Sequence, residues 1–171
     1  SARPGWWNDT HTSRWDRVKE AIRRDWEQTK ADFSKTSGAA LNQNVGDTLK
    51  QAVDLSRNLD GLYNLEQLDF VRALIDVYVA ENRLEDAERE HLYAFRVEET
   101  AYGPRDPRML PAYDYLARWY EYVGRYTTAR TEHLRALRLA EATSGRGSVQ
   151  TVVPLRGIAR AYRLEYLYGP E

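Results

Sequence analysis

The chain contains no cysteine. Disulfides, thiolate metal sites and cysteine nucleophiles are therefore excluded. It has no apolar run approaching the roughly 18 residues a spanning helix needs, so no membrane span is expected. It also lacks an excess of either charge: 26 acidic residues stand against 25 lysines and arginines, a net of -1. That balance argues against bulk nucleic acid or an anionic membrane surface as a partner. No signal-peptide pattern is present, and the opening residue is Ser1 rather than Met, which points to a processed or trimmed N-terminus. The compartment stays open between cytoplasm and periplasm. No nucleophile elbow, phosphate-cradling loop, dinucleotide fingerprint or HExxH pair occurs. The expectation is a chain that is not an enzyme and holds no cofactor or metal.

What the chain does have is charge and rings. Charged residues make up 30% and aromatics 12%, with 12 tyrosines. It also has a repeat. Leu74, Tyr78, Arg83 and Ala87 return 42 residues later as Leu116, Tyr120, Arg125 and Ala129. Glu90-His91-Leu92 returns as Glu132-His133-Leu134, and Ala94, Arg96, Glu99 and Gly103 return as Ala136, Arg138, Glu141 and Gly145. A third copy opens at the same offset, where Ile158, Ala159, Arg160 and Tyr162 stand for Leu116, Ala117, Arg118 and Tyr120. A fixed period in this range is the mark of a repeat array.

Periodicity and breakers set the expected elements. Residues 1–12, with Pro4, Gly5 and Trp6-Trp7, read as an irregular lead-in. Ser13 and Asp16 suit a helix start, and Trp15, Val18, Ile22, Trp26, Thr29 and Phe33 then recur at helical steps over 13–34. Leu41, Val45, Leu49, Ala52, Val53 and Leu55 form a second stripe, with Gly46 a weak point and Asp47 a candidate cap. The tryptophan stripe reads as packing against a neighbouring helix. Its alternative is a stacking surface for a ligand or nucleic acid, which the interleaved Asp16, Glu20, Asp25, Glu27 and Asp32 weaken. Further on, Gly61 ends a helix and Asn64 or a neighbour opens the next, which runs to about Glu81. Asn82-Arg83 turns into a helix from Leu84 to Tyr102, which Gly103-Pro104-Arg105-Asp106-Pro107 stops. The second copy gives a helix to Tyr122, a turn at Gly124-Arg125 and a helix to Thr143; the third gives one helix, about Gln150 to Tyr168.

Two antiparallel helices per repeat, with Leu116-Ala117, Tyr120, Gly124-Arg125-Tyr126, Ala129, Glu132 and Leu134-Arg135-Ala136-Leu137, resemble the tetratricopeptide plan. Its usual period is about 34 residues; the 42-residue spacing resembles the variant of kinesin light chains. The resemblance covers 65–168, departs from the pattern at Asn82 and Ile75, and is shared with many bacterial arrays. Residues Trp15-Asp16-Arg17-Val18-Lys19, Arg24 to Lys30 and Leu41 to Ala52 resemble CsbD-like small bacterial stress proteins, a family with no assigned chemistry to carry over. The expected fold is all-α, with a lead-in at 1–12, a helical hairpin at 13–60 and about two and a half helix-hairpin repeats at 61–171. The two parts meet at 51–58 without a linker, as a natural fusion or an engineered joining, and the array stops in mid-repeat.

In such repeats Ala87, Ala94, Ala129 and Ala136 let helices approach while Leu74, Leu116, Tyr78 and Tyr120 fill the space between them. Each repeat buries its apolar face on a neighbour. Leu155, Ile158, Tyr162, Leu164, Tyr166 and Leu167 of the last helix have no following helix to cover them. Self-association or docking of the N-terminal helices would cover them. The tetratricopeptide resemblance implies a peptide-binding groove lined by the first helix of each repeat. By position it would show Arg72, Asp76, Asp114, Arg118, Glu121, Tyr122, Arg156, Arg160 and Arg163. Successive arginines suit an acidic peptide or a C-terminal carboxylate through forked bonds. The plainer reading is a solvated face on which Asp76 and Asp114 neutralise Arg72 and Arg118. His91 and His133 repeat because the hairpin does, and they fall where a packed side chain is expected; no third ligand stands at metal spacing. Glu88-Glu90 and Glu98-Glu99 read as solvated faces. The leading expectation is a non-enzymatic scaffold for a protein or peptide partner. The alternatives are a self-assembling structural protein and a stress-response or nucleic-acid-associated module.

Overall fold

The structure, a computed structural model, describes residues 39–169. Among the described residues there are six α-helices, three single-turn 3-10 helices and no strand, so the chain is all-α. The helices are α1 (Ala39–Asp60), α2 (Leu68–Ala80), α3 (Leu84–Tyr102), α4 (Leu110–Tyr122), α5 (Tyr126–Ser144) and α6 (Val152–Tyr168). The helix expected at 13–34, with its tryptophan stripe, and the lead-in at 1–12 lie outside the described residues.

The duplication is visible in the backbone as well as in the side chains. Each of α2, α4 and α6 is entered through a 3-10 turn, at Leu65–Gln67, Pro107–Met109 and Val149–Thr151, and the three turns stand 42 residues apart. Asn64, Asp106 and Ser148 precede them in extended conformation. The Asn64 side chain accepts the Glu66 N–H at 2.9 Å, and Asp106 accepts that of Arg108 at 2.8 Å; Ser148 makes no such bond. Each turn places its last residue in the interior: Gln67, Met109 and Thr151 are buried.

The hairpin turns also repeat. Arg83 N–H reaches Tyr78 O at 2.8 Å, and Arg125 N–H reaches Tyr120 O at 2.8 Å. These six-residue closures need a left-handed residue near the middle. Gly124 supplies it at φ 77° in one copy, and Asn82 supplies it at φ 58° in the other. Asparagine is among the few residues that tolerate this region, so the departure from glycine leaves the turn intact.

The chain divides into two compact units, one ending at Arg83 and one starting at Leu84. In the first, α1 packs on α2, with Leu49, Ala52, Val53, Val71, Leu74 and Ile75 buried. A Cβ added at Gly46 would lie 3.3 Å from Val77 Cγ1, so α1 approaches α2 closely there. Contrary to expectation, Asp47 caps nothing. It lies within α1, which runs without a break through Gly46 and on to Asp60.

In the second unit α4 and α5 form a hairpin, and α5 packs in turn on α6. The alanines lie inside as expected: Ala87, Ala94, Ala129 and Ala136 are all buried, as are Leu116 and Tyr120. Met109, Ala112, Tyr113, Ala136 and Leu139 form a core cluster, with Phe95 packed edge-on to Tyr113 at 5.0 Å between centroids. Glu98 corrects the reading of the acid pairs as solvated faces: it is buried. Glu88 is held by Arg125 at 2.6 Å across 37 residues. A helix face chosen by spacing alone takes no account of which neighbour the fold brings against it.

Candidate functional site

Helices α4 and α6 hold seven of the nine side chains expected to line a groove. On α4, Asp114, Arg118, Glu121 and Tyr122 recur at helical steps; on α6, Arg156, Arg160 and Arg163 do the same. Arg118 Nε donates to Asp114 Oδ2 at 2.7 Å, the neutralisation expected from their spacing. Glu121 is engaged twice. It accepts from Arg160 Nε at 2.7 Å and from His133 Nε2 at 3.1 Å, so it links α4, α5 and α6 through one nearly buried carboxylate. Tyr122 is 63% exposed and stacks on Trp119 with centroids 5.7 Å apart. Arg156 and Arg163 are exposed, and no carboxylate among the described residues pairs with them. Arg72 and Asp76 lie one turn apart on α2, in the other unit, the first half-buried and the second exposed.

The histidines are internal. His133 is fully buried; its Nδ1 lies 4.0 Å from Asp114 Oδ1, and its ring lies against Gly157 of α6. His91 is stacked on Trp119 at 4.6 Å and tilted against Tyr115 at 4.8 Å. Burial lowers its pKa from 6.5 to about 4. The two rings occupy equivalent places: His91 meets Tyr115, and His133 meets Gly157, 42 residues further on. Among the described residues, no group of three or more His, Asp and Glu side chains is placed to hold a metal ion.

One recess was not foreseen. Pro104, Arg105, Tyr113, Arg135, Arg138, Leu139, Ala142 and Thr143 line an open cavity of about 570 Å³ beside the core cluster. Its rim is basic, although Glu132 holds Arg135 at 3.0 Å. The arginines are visible in the sequence, but the loop that brings Arg105 to α5 is not.

Two solved structures share this architecture. Both are described as nearly identical TPR-like repeats assigned to a Podosopora anserina kinesin light chain, the second carrying a single substitution. Their TM-scores are 0.63 and 0.61, each at 18% identity over 91% of this chain and 82% of theirs. The fold is therefore a tetratricopeptide-like helical repeat. No protein-family model matches the chain, and no curated protein matches it. None of these comparisons supports the CsbD-like resemblance of the first part. Among the described residues no helix is long and apolar enough to cross a membrane.

Proposed function

We propose that the chain is a non-enzymatic scaffold that binds an acidic peptide, or an acidic segment of a partner protein, across the face of α4 and α6. The observation that carries this reading is the charge left over on that face. Arg118, Arg156, Arg160 and Arg163 stand against only Asp114 and Glu121, and both acids are already engaged within the fold. The Arg118–Asp114 pair is a surface pair, so giving it up to a ligand costs little, about 0–1 kcal/mol. Arg156 and Arg163 are available for forked bonds to carboxylates. The exposed ring of Tyr122, stacked on Trp119, offers a rigid apolar patch on α4, the kind of anchor that dominates binding energy.

The test is fluorescence anisotropy with a labelled Asp/Glu-rich peptide and its Lys-substituted counterpart. The acidic peptide should bind saturably, more weakly as salt rises. Combining Arg118→Glu with Tyr122→Ala should weaken it by at least about tenfold. Equal binding of both peptides, or binding indifferent to the double substitution, would refute the reading.

A further inference from the structure

The recess beside the core cluster carries more positive charge than the repeat requires. The duplication provides an internal control. Arg138 answers to Arg96, 42 residues upstream, but Arg105 and Arg135 answer to Tyr63 and Tyr93. Two of the three rim arginines are therefore departures from the copy before. All three are exposed, so the packing of the hairpin does not call for them. The apolar lining changes with them: Tyr113 stands for Val71 and Pro104 for Leu62.

The three guanidiniums come from two elements. Arg135 and Arg138 lie one turn apart on α5, and Arg105 belongs to the loop that follows α3. The adjacent Asp106 does not neutralise Arg105, because Arg108 holds that carboxylate at 2.8 Å. No carboxylate among the described residues pairs with Arg105 or Arg138. Arg135 does bond Glu132, but both bonds leave from Nη1, at 3.0 and 3.2 Å, so Nη2 and Nε keep their donors. Glu99 of α3 acts on Tyr113 as well. Set against both acids, the arginines remain in excess. The rest of the lining is mostly apolar, with Tyr113 and Leu139 buried and Pro104 and Ala142 exposed.

Guanidinium forks bind oxyanions through paired, charge-assisted hydrogen bonds. A carboxylate fills one fork. A phosphate monoester brings three acceptor oxygens and a charge of about -1.5 to -2, which suits a cluster of arginines. The apolar lining suits whatever group carries the phosphate. The volume, about 570 Å³, is that of a site for one small molecule. From this we propose that the recess binds a small phosphate monoester with a compact apolar body. Arg105, Arg135 and Arg138 hold the phosphate, and Tyr113 and Leu139 receive the body. The site is separate from the acidic-peptide face: α6 contributes nothing to it, and α4 contributes only Tyr113.

The probe is phenyl phosphate, titrated into the full chain by calorimetry. It should bind saturably. Inorganic phosphate, which lacks the ring, and phenylacetate, which lacks the phosphate, should each bind at least about tenfold more weakly. Arg105→Gln with Arg138→Gln should weaken phenyl phosphate by at least about tenfold. Ala142→Glu, which sets a carboxylate in the lining at an exposed position, should do the same. Arg118→Glu with Tyr122→Ala should leave binding unchanged. Urea midpoints confirm that each variant is folded. No saturable binding, equal binding of either fragment, indifference to both recess variants, or sensitivity to the α4 pair would overturn the proposal. So would a phosphotyrosine peptide that binds at least about tenfold more tightly than phenyl phosphate, because a polypeptide would then be the ligand.

Discussion

Gly157 shows how one residue can set the distance between two copies. Where the copy before it has Tyr115, Gly157 leaves room for the His133 ring, and an added Cβ would fall 2.3 Å from His133 Cε1. Glycine inside a helix costs about 1 kcal/mol relative to alanine, so alanine would be favoured if space were the same. Overpacking a core costs about 1–3 kcal/mol, and His133 is buried and bonded to Glu121, with little room to yield. Gly157→Ala should therefore lower stability in urea unfolding, by up to roughly 2 kcal/mol net, and should be harmless in a His133→Ala background. His91 provides a pH test. Its folded pKa lies near 4 against 6.5 when free, because burial disfavours the charged ring. The unfolded chain therefore binds the proton first. Stability should fall as pH drops from about 6.5 toward 4, by on the order of 2 kcal/mol, and His91→Gln should flatten that slope. Asp106, held near 2 by the Arg108 side chain, adds its own loss only below about 3.8.

At the scale of elements, most of the helices were legible. Leu84–Tyr102 was bounded to the residue, and the ends at Tyr122 and Tyr168 followed from Gly124 and Gly169. The three 3-10 entries were not anticipated. Three residues hold no period, and Asn64, Asp106 and Ser148 share an extended backbone without sharing an identity, only the first two bonding the turn they precede. Asp47 misled for the opposite reason: an acid after a glycine resembles a cap, yet α1 continues because Leu49, Ala52 and Val53 bury the same stripe beyond it. The caps predict their own test. Asn64→Ala removes the acceptor for the Glu66 N–H and should lower stability by about 0.5–2 kcal/mol, read as a shift of the urea midpoint without a change in slope.

At the scale of the molecule, the array's plan was readable from a fixed period, and the wiring of its face was not. The Asp114–Arg118 pair is four residues apart and follows from helical spacing. The links of Glu121 to His133 and to Arg160 span 12 and 39 residues, and only the stacking of α4, α5 and α6 creates them. Glu121, expected as a groove residue, is on this geometry chiefly a tie between helices. Glu121→Gln should cost about 1–3 kcal/mol of stability; a change in peptide affinity with stability unmoved would instead make it a ligand contact. All of this depends on successive copies packing in the 42-residue register, and the contact of His133 with Gly157 is where that register is tightest. A carbon-edited NOE spectrum of the chain in solution tests it most directly. The account predicts a strong cross-peak between His133 Hε1 and the Gly157 Hα protons, with those protons displaced by the ring current. No cross-peak, with Gly157 Hα at its random-coil position, would contradict it.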